Sequence, residues 1–103
     1  MNKVILMGRL TAEPESKQVS DKTVTNFTLA IDSGWGDNKH TNFITCAAWG
    51  KTGEAIISYV HKGNRLLVSG TLYQSRWEKD GKKNSRLTVT VGEFEFIERK
   101  TDE

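Results

Sequence analysis

TNFITCAAWGKTGEAIISYVHKG, Thr41–Gly63, is the stretch that decides the fold. Its first nine residues are rich in β-forming and short apolar side chains, which predicts a strand over 41–49. After Gly50 the period changes, because the apolar residues at positions 55, 56, 59 and 60 recur at helical spacing. Thr52 is a suitable helix N-cap, and Gly63 is suited to a left-handed stop. The stretch therefore predicts a strand that runs directly into a helix.

Two strands are predicted before this stretch. Residues 3–10 form an apolar run that contains Gly8, and a glycine inside such a run often marks a bulge or a sharp bend. Residues 13–15 predict a turn, and residues 17–19 a brief pairing segment. Val24–Ile31 alternates apolar and polar residues, which predicts a half-buried strand. The segment 33–42 has the Gly, Asn and Asp content of a flexible loop.

Two more strands are predicted after the helix, over Arg65–Tyr73 and Arg86–Ile97. They are joined by a turn at residues 79–82, where Asp80-Gly81 is a strong hairpin signal. The order of three strands, one helix and two strands, all compatible with antiparallel pairing, is that of an OB-fold. We expect an all-β five-stranded antiparallel barrel with one α-helix between strands 3 and 4. One domain is expected over residues 1–100, followed by a short acidic terminus over 101–103.

The same pattern predicts which residues are buried. The helix is expected to close one end of the barrel, with its apolar side inward and its polar side in solvent. The residues expected in the core are Phe27, Cys46, Ile56, Tyr59, Val60, Phe94 and Phe96. Those expected in solvent on or near the helix are Thr52, Glu54 and Lys62.

The composition excludes several classes of protein. The 103 residues are 36% hydrophobic and 27% charged, as in a single globular domain. No apolar run approaches the roughly 18 to 20 residues that cross a bilayer, and the N-terminus lacks a signal-peptide pattern. The single Cys46 excludes an intramolecular disulfide. We therefore expect a cytoplasmic protein that does not interact with membranes.

No group of residues indicates catalysis. The sequence has no Ser/His/Asp set and no Gly-rich phosphate loop, and its two histidines, His40 and His61, have no metal-ligand spacing. We expect no enzymatic activity, no cofactor and no metal site. The net charge of +2 does not by itself indicate a nucleic-acid partner, but the basic residues are concentrated within positions 76–86.

Five aromatic residues indicate a binding surface instead: Trp35, Phe43, Trp49, Tyr73 and Trp77. Phe43 and Trp49 are six residues apart, so they leave the same face of a regular strand, with small residues between them. Tyr73 and Trp77 likewise share a face. Nucleobases stack on such rings with about 1 to 3 kcal/mol per base whatever the sequence. The pattern predicts a surface for unpaired bases.

Basic residues near these aromatics are the candidates for binding phosphates. They are Lys39, Lys51, Lys62, Arg76, Lys79, Lys82, Lys83 and Arg86. Neutralising phosphates releases condensed counterions, which gives affinity without reading the sequence. Stacking and phosphate contacts together predict a protein that binds a single-stranded nucleic acid independently of sequence.

Six motifs occur in order along nearly the whole chain: Asn2–Leu10 with Glu13-Pro14-Glu15, Phe27–Ile31, Asn42–Lys51, Tyr59–Gly63, Val68–Leu72 and Arg76-Trp77. Together they resemble the bacterial and phage single-stranded DNA-binding protein family. The resemblance implies base stacking at the family's aromatic positions and phosphate contacts at its basic positions. The stacking positions are Trp35, Phe43, Trp49 and Trp77, and the basic positions are Lys51, Lys62 and Arg76.

The resemblance also implies an assembly and a setting. It implies a homotetramer, with a dimer as the alternative, that wraps DNA in replication, recombination and repair at the nucleoid, or in the host cytoplasm for a phage protein. The family often carries a long tail whose acidic tip recruits other replication or recombination proteins, whereas this sequence ends at Asp102-Glu103. Ile44 stands where some members have His at a subunit contact, and residues 80–85 match the family weakly.

Three alternatives fit parts of the pattern. A short dimeric replication-restart OB-fold has a similar size but fewer stacking aromatics. A protein-interaction barrel would use the same exposed Trp, Tyr and Arg as hot spots. A nucleotide-modifying enzyme has the least support, because no residue supplies a general base or a metal.

Overall fold

The computed structural model describes residues 1–97, so the acidic terminus expected at 101–103 lies outside the described part of the chain. It contains six strands, one α-helix and a short 3-10 turn at Gly36–Asn38. The strands are β1 (Val4–Leu10), β2 (Glu15–Val19), β3 (Lys22–Ser33), β4 (His40–Trp49), β5 (Arg65–Lys79) and β6 (Lys82–Ile97), and the helix is α1 (Gly50–Tyr59).

Five of the strands close into a ring in the order β1-β5-β6-β4-β3, and β3 pairs back with β1. The sixth strand, β2, pairs with β3 alone. The predicted OB-fold is confirmed, with α1 between the third and fourth ring strands in chain order. One ladder differs from the antiparallel pairing that we expected, because β4 and β6 are parallel. A closed ring of five strands has an odd number of ladders, so at least one must be parallel.

Several strands are longer than their sequence patterns predict. β2 starts at Glu15 rather than at residue 17, and β3 runs from Lys22 to Ser33. β5 and β6 continue past the ring to the turn at Asp80-Gly81. Both turn residues have positive φ, 53° and 76°, as a two-residue type I′ hairpin requires. The predicted turn is confirmed, and beyond the ring the two strands form a two-stranded segment, residues 73–79 and 82–87, that we call the ribbon.

Gly8 does not mark a bulge, because β1 pairs with β5 in unbroken register through this residue. A Cβ at Gly8 would lie 2.5 Å from the carbonyl oxygen of Ala30, so the glycine lets β1 cross closely over β3. The register shift lies between β5 and β6 instead, where Ser69 faces Glu93 and Gly70 faces Val91. The extra residue, Gly92, makes this the bulge that bends β6.

The helix differs from its prediction at both ends. Trp49, in an extended conformation, is the N-cap residue, and Thr52 is a half-buried residue inside the first turn. The helix ends at Tyr59, four residues before Gly63, which has a φ of +89° in the turn that follows. Gly53 docks α1 tightly on β3 and β4, because any side chain there would meet Ala48 and Thr25.

The core follows the predicted pattern with two exceptions. Phe27, Cys46, Ile56 and Val60 are buried, and Phe94 packs against them partly buried. The burial expected for Tyr59 is wrong, since its side chain is 70% exposed at the last residue of α1. Phe96 is also more exposed than expected. Glu54 and Lys62 are exposed as predicted. Within residues 1–97, no helix has the length and apolar character needed to cross a membrane.

Candidate nucleic-acid interface

The aromatic residues of β4 lie on the outer face of the barrel. β3 and β4 pair in unbroken register, with Ala30 opposite Phe43 and Val24 opposite Trp49. A recess of about 240 Å³ lies beside this face, between β3 and the segment that joins β1 to β2. Its lining consists of Thr11, Ala12, Glu13, Glu15, Asn26, Phe27, Thr28 and Thr45. Neither Phe43 nor Trp49 lines this recess, so the room for a flat ligand between the two rings stays a prediction.

Tyr73 and Trp77 lie on the same face of the sheet as Phe43. Paired residues in a sheet share a face, and Thr45 of β4 pairs with Thr88 of β6, which pairs in turn with Tyr73 of β5. Side chains alternate along β5, so Trp77, four residues further, also leaves this face. The register therefore joins the two aromatic pairs into one surface, the aromatic face: Phe43, Trp49, Tyr73 and Trp77.

Trp35 projects from the short connection between β3 and β4. Gly34 and Gly36 on either side have φ of +80° and +64°, a left-handed conformation that favours glycine. These two glycines turn the chain sharply and leave the indole 84% exposed, the most exposed aromatic side chain in the described residues. The flexible loop expected over 33–42 is therefore a tight connection that presents one large apolar ring to solvent.

The ribbon distributes its basic residues over two faces. Arg86 lies on the aromatic face, with its guanidinium carbon 5.8 Å from the centre of the Trp77 ring, a cation–π contact. Lys79 and Lys82 pair at the tip on this same face. Arg76 and Lys83 leave the opposite face by alternation, and the Arg76 guanidinium donates a hydrogen bond to Gln74. Of the predicted ribbon cations, three lie beside the aromatics and two behind them.

The other predicted cations lie at separate edges of the site. Lys39 follows the Trp35 turn, and Lys51 is the second residue of α1, two positions after Trp49. Lys62 lies in the turn after α1, where its backbone N–H donates to the carboxylate of Glu13 at 3.0 Å. That hydrogen bond, and a second one from His61, hold the pKa of the Glu13 carboxyl below its ordinary value. Lys62 is therefore next to an acidic group and at a distance from the ribbon.

Sequence reasoning missed two cations near Trp49. Lys17 of β2 pairs with Val24, which pairs with Trp49, so all three residues share the outer face. Lys22, together with Val19 and the β2–β3 turn, lines a recess beside Trp49. Neither lysine is near one of the five candidate aromatic residues in the sequence. Only the two cross-strand pairings bring them close to Trp49, so the positions of β2 and β3 were needed to find them.

The outer face carries chemistry suited to binding. Between the aromatic rings the polar groups of the central strands are mainly the hydroxyls of the half-buried Thr45, Thr88 and Thr90. In the described part of the chain no three His, Cys, Asp or Glu side chains are grouped so as to hold a metal ion. Flat apolar rings, short hydroxyls and surrounding cations match the faces of nucleobases and the phosphates that link them.

Comparisons with known proteins agree with this chemistry. Residues 1–97 match the model of the single-strand binding protein family. The chain is 42% identical over 101 residues to a single-stranded DNA-binding protein of Clostridium perfringens, a match that covers 95% of this chain and 67% of that protein. It is 40% identical to one of Fusobacterium nucleatum, with 98% and 70% covered, and 36% identical to single-stranded DNA-binding protein 2 of Streptococcus agalactiae, with 97% and 79% covered. The resemblance found from the motifs is confirmed.

Proposed function

Because this chain belongs to the single-strand binding protein family, we propose that it binds single-stranded DNA through the aromatic face and Trp35, without reading the base sequence. The observation that carries the proposal is the register β4-β6-β5, which places Phe43, Tyr73 and Trp77 on one continuous outer surface. Sites on OB-folds of this kind hold about 4 to 16 nucleotides.

Stacking explains the preference for unpaired DNA. Each base in a duplex already has its two flat faces covered by its neighbours, so the rings of Trp35 and Phe43 can contact only bases that are unstacked. Both side chains are largely exposed in the free protein, so they gain apolar burial when a base covers them. A strand bound in this way is held extended and cannot pair again.

The phosphate contacts come from the cations around the aromatic face. Arg86 lies over the Trp77 ring, so its guanidinium is available to a phosphate of a strand that passes this indole. Lys79, Lys82, Lys39 and Lys51 extend the positive charge along the path. Each phosphate that the protein neutralises steepens the fall of log affinity with log salt concentration by about 0.7 on single strands.

The lack of sequence readout follows from what lies between the rings. Distinguishing one base from another requires donors and acceptors fixed opposite the base edges, as in bidentate Arg or Asn contacts. The central strands present rotating threonine hydroxyls instead, Thr45 and Thr88 among them. Such hydroxyls act as either donor or acceptor, so they accept every base.

Binding alone is the activity that we propose, with no catalytic step. The biological setting that fits it is the protection and organisation of unpaired DNA in replication, recombination and repair, at the nucleoid or replication fork. Replication or recombination proteins are the further partners expected there.

We also propose that the chain assembles with itself, as a homotetramer or, in the alternative, a dimer. Two observations support this. Ile5 and Met7 are exposed apolar side chains on the outer face of β1. Among residues 1–97, β1 pairs with β3 only at Arg9 and Leu10, so along Val4–Met7 the edge of β1 that faces away from β5 has no strand beside it. Exposed apolar edges of this kind favour association with another strand. Sedimentation of the parent and of Ile5→Glu tests the assembly, because loss of mass in the variant is expected.

Intrinsic tryptophan fluorescence tests the binding function. Titration with oligodeoxythymidine of a few tens of bases is expected to quench the emission deeply, less so at higher salt, while a blunt duplex leaves it unchanged. Equal quenching by duplex and single strand would contradict stacking on unpaired bases. No binding of either would favour the protein-interaction barrel as the use of these aromatics.

A further inference from the structure

A long gap separates the two aromatic rings of β4. Phe43 and Trp49 are six residues apart, so their Cα atoms are separated by about 20 Å along the strand. By alternation, the outward residues between them are Thr45 and Ala47, which carry no ring. A DNA strand that stacks on both rings therefore carries at least one base across a stretch of β4 that offers it no aromatic side chain.

The recess of about 240 Å³ beside the aromatic face opens at the middle of this gap. Thr45 belongs to both, because it faces outward between the two rings and also lines the recess. From β4 the ladders lead across β3 to β2, since Ala47 pairs with Asn26 and Asn26 pairs with Glu15. Paired residues share a face, so Asn26 and Glu15 leave the same outer surface as the rings, about 5 and 10 Å from β4.

The amide of Asn26 and the carboxylate of Glu15 are free to bind a ligand. Both residues line the recess, and within residues 1–97 neither side chain has a hydrogen-bond or ion-pair partner. Asn26 is half-buried, and its amide is open to solvent because no buried side-chain nitrogen or oxygen of the described residues lacks a partner. Glu13, the second carboxylate at the recess, is already used. It accepts hydrogen bonds from the His61 ring at 3.1 Å and from the Lys62 backbone N–H at 3.0 Å.

The charges of the lining decide which part of a nucleotide enters the recess. Both charged residues that line it, Glu13 and Glu15, are acidic. The cation on the same face of β2 is Lys17, two residues beyond Glu15 and on the side of Trp49. Carboxylates repel phosphate and accept hydrogen bonds. We therefore expect a phosphate of the strand at Lys17 and the edge of a base at the recess.

Base edges differ in what they offer to an amide and a carboxylate. Cytosine and adenine carry an exocyclic amino group, a donor that a carboxylate accepts and that asparagine also recognises. Thymine has a carbonyl oxygen at the corresponding position, an acceptor that a carboxylate repels. The amide of Asn26 both donates and accepts, so it also complements the acceptor nitrogen beside each amino group.

We propose that Asn26 and Glu15 form a base-edge site between Phe43 and Trp49, which favours a base with an exocyclic amino group, cytosine or adenine, over thymine. The site rests on the proposed function and adds a preference to it. Stacking and phosphate contacts stay indifferent to the base, whereas the recess selects one chemical class at one position of the bound strand. Only the pairing of β2, β3 and β4 brings these residues together, so no sequence pattern singles them out.

The test compares oligodeoxycytidine and oligodeoxyuridine of about 16 nucleotides on the full chain at pH 8. Uracil has the carbonyl edge of thymine without its methyl group, so the two bases differ only along the edge that the site contacts. The variants are Glu15→Gln, whose amide turns to suit either base, and Asn26→Ala. Asp21→Asn is the matched control, because it removes one negative charge from the same hairpin but does not line the recess.

The measured quantity is the Kd for oligodeoxyuridine divided by that for oligodeoxycytidine, obtained from the anisotropy of labelled oligonucleotides. Differences in stacking between the two bases cancel when a variant is compared with the parent. Glu15→Gln is expected to lower this ratio about fivefold, the lower end of the discrimination that a base-edge contact provides. Asn26→Ala is expected to lower it without changing the salt slope, because no charge is removed. Asp21→Asn is expected to tighten both complexes equally and to keep the parental ratio.

Two results would overturn the site. One is a parental or higher ratio in Glu15→Gln, whose side chain is exposed and can be exchanged without disturbing the fold. The other is an equal fall of the ratio in Asp21→Asn, because the effect would then be one of net charge. Thermal unfolding of each variant reports its fold, and Glu15→Gln decides the outcome if Asn26→Ala is unstable. The proposed function fails separately, because then the parent itself binds neither oligonucleotide.

Discussion

Trp35→Ala should weaken single-strand binding and leave the stability of the fold unchanged. The indole is 84% exposed, and its residue donates no side-chain hydrogen bond to the 3-10 turn that it precedes. Removing it therefore deletes a stacking surface with almost no loss of packing. Trp49 and Trp77 are less suitable for this measurement, because they are 41% and 42% exposed and their removal also uncovers the strands beneath them.

The expected magnitude follows from stacking alone. One base stacked on an aromatic side chain contributes about 1 to 3 kcal/mol, so the Kd should rise by about 5-fold to about 150-fold. The free energy of unfolding should stay within about 0.5 kcal/mol of the parent, as for surface substitutions that remove no buried contact. The salt slope should not change, because Trp35 carries no charge.

Fluorescence anisotropy of a labelled oligodeoxythymidine measures the Kd independently of the tryptophans. Tyr59→Ala is the matched control, because Tyr59 is 70% exposed, also aromatic, and lies at the end of α1 rather than on the binding surface. Its Kd is expected to equal that of the parent. Equal weakening by both substitutions would refute the reasoning, as would a parental Kd in Trp35→Ala with urea unfolding unchanged.

Three further predictions concern other parts of the molecule. Arg86→Ala should lower the salt slope of binding by about 0.7, and Arg76→Ala should lower it less, since Arg76 leaves the opposite face of the ribbon; equal slopes would contradict the assignment of faces. Burial raises the pKa of the Cys46 thiol to about 12, so a thiol reagent at pH 8 should label unfolded protein and leave folded protein unlabelled; fast labelling of the folded protein would show that the core is open. The pKa of Glu13 is lowered in the folded chain, so its stabilising contribution is complete above its ordinary pKa of 4.5 and is lost as the pH falls through the lower folded value. As the pH falls below 4.5, the urea midpoint of the parent should therefore decline more than that of Glu13→Gln. Parallel curves for the two proteins would disprove this.

Features governed by local periodicity were predictable from the sequence. Phe43 and Trp49 share a face because β4 is regular, so their even separation was sufficient. The type I′ turn followed from Asp80-Gly81, since few residue pairs accept positive φ at both positions. The change of period after Gly50 located α1 correctly, although its C-terminal boundary was several residues in error.

Features governed by cross-strand contacts were not predictable. Polar and charged residues occupy both faces of the ribbon, so its sequence shows no apolar–polar alternation. Without the register, Arg76 and Lys83 could not be assigned to a different face from Arg86. Gly8 serves a close crossing of two strands that are more than 20 residues apart in the chain, and a glycine in a strand equally suggests a bulge. Arg9 reaches the neighbourhood of Phe43 only through Ala30, a contact that depends on ring closure.

The most direct test of the central claim is a map of the residues that respond when a short oligodeoxythymidine is added to isotope-labelled protein. In two-dimensional NMR spectra, the indole N–H signals of Trp35, Trp49 and Trp77 should shift, together with backbone amides of β4, β6 and the ribbon. The amides around Tyr59 should not move. Shifts confined to α1 and the turn after it, with the three indoles unmoved, would contradict the account, because the DNA would then bind at the closed end of the barrel.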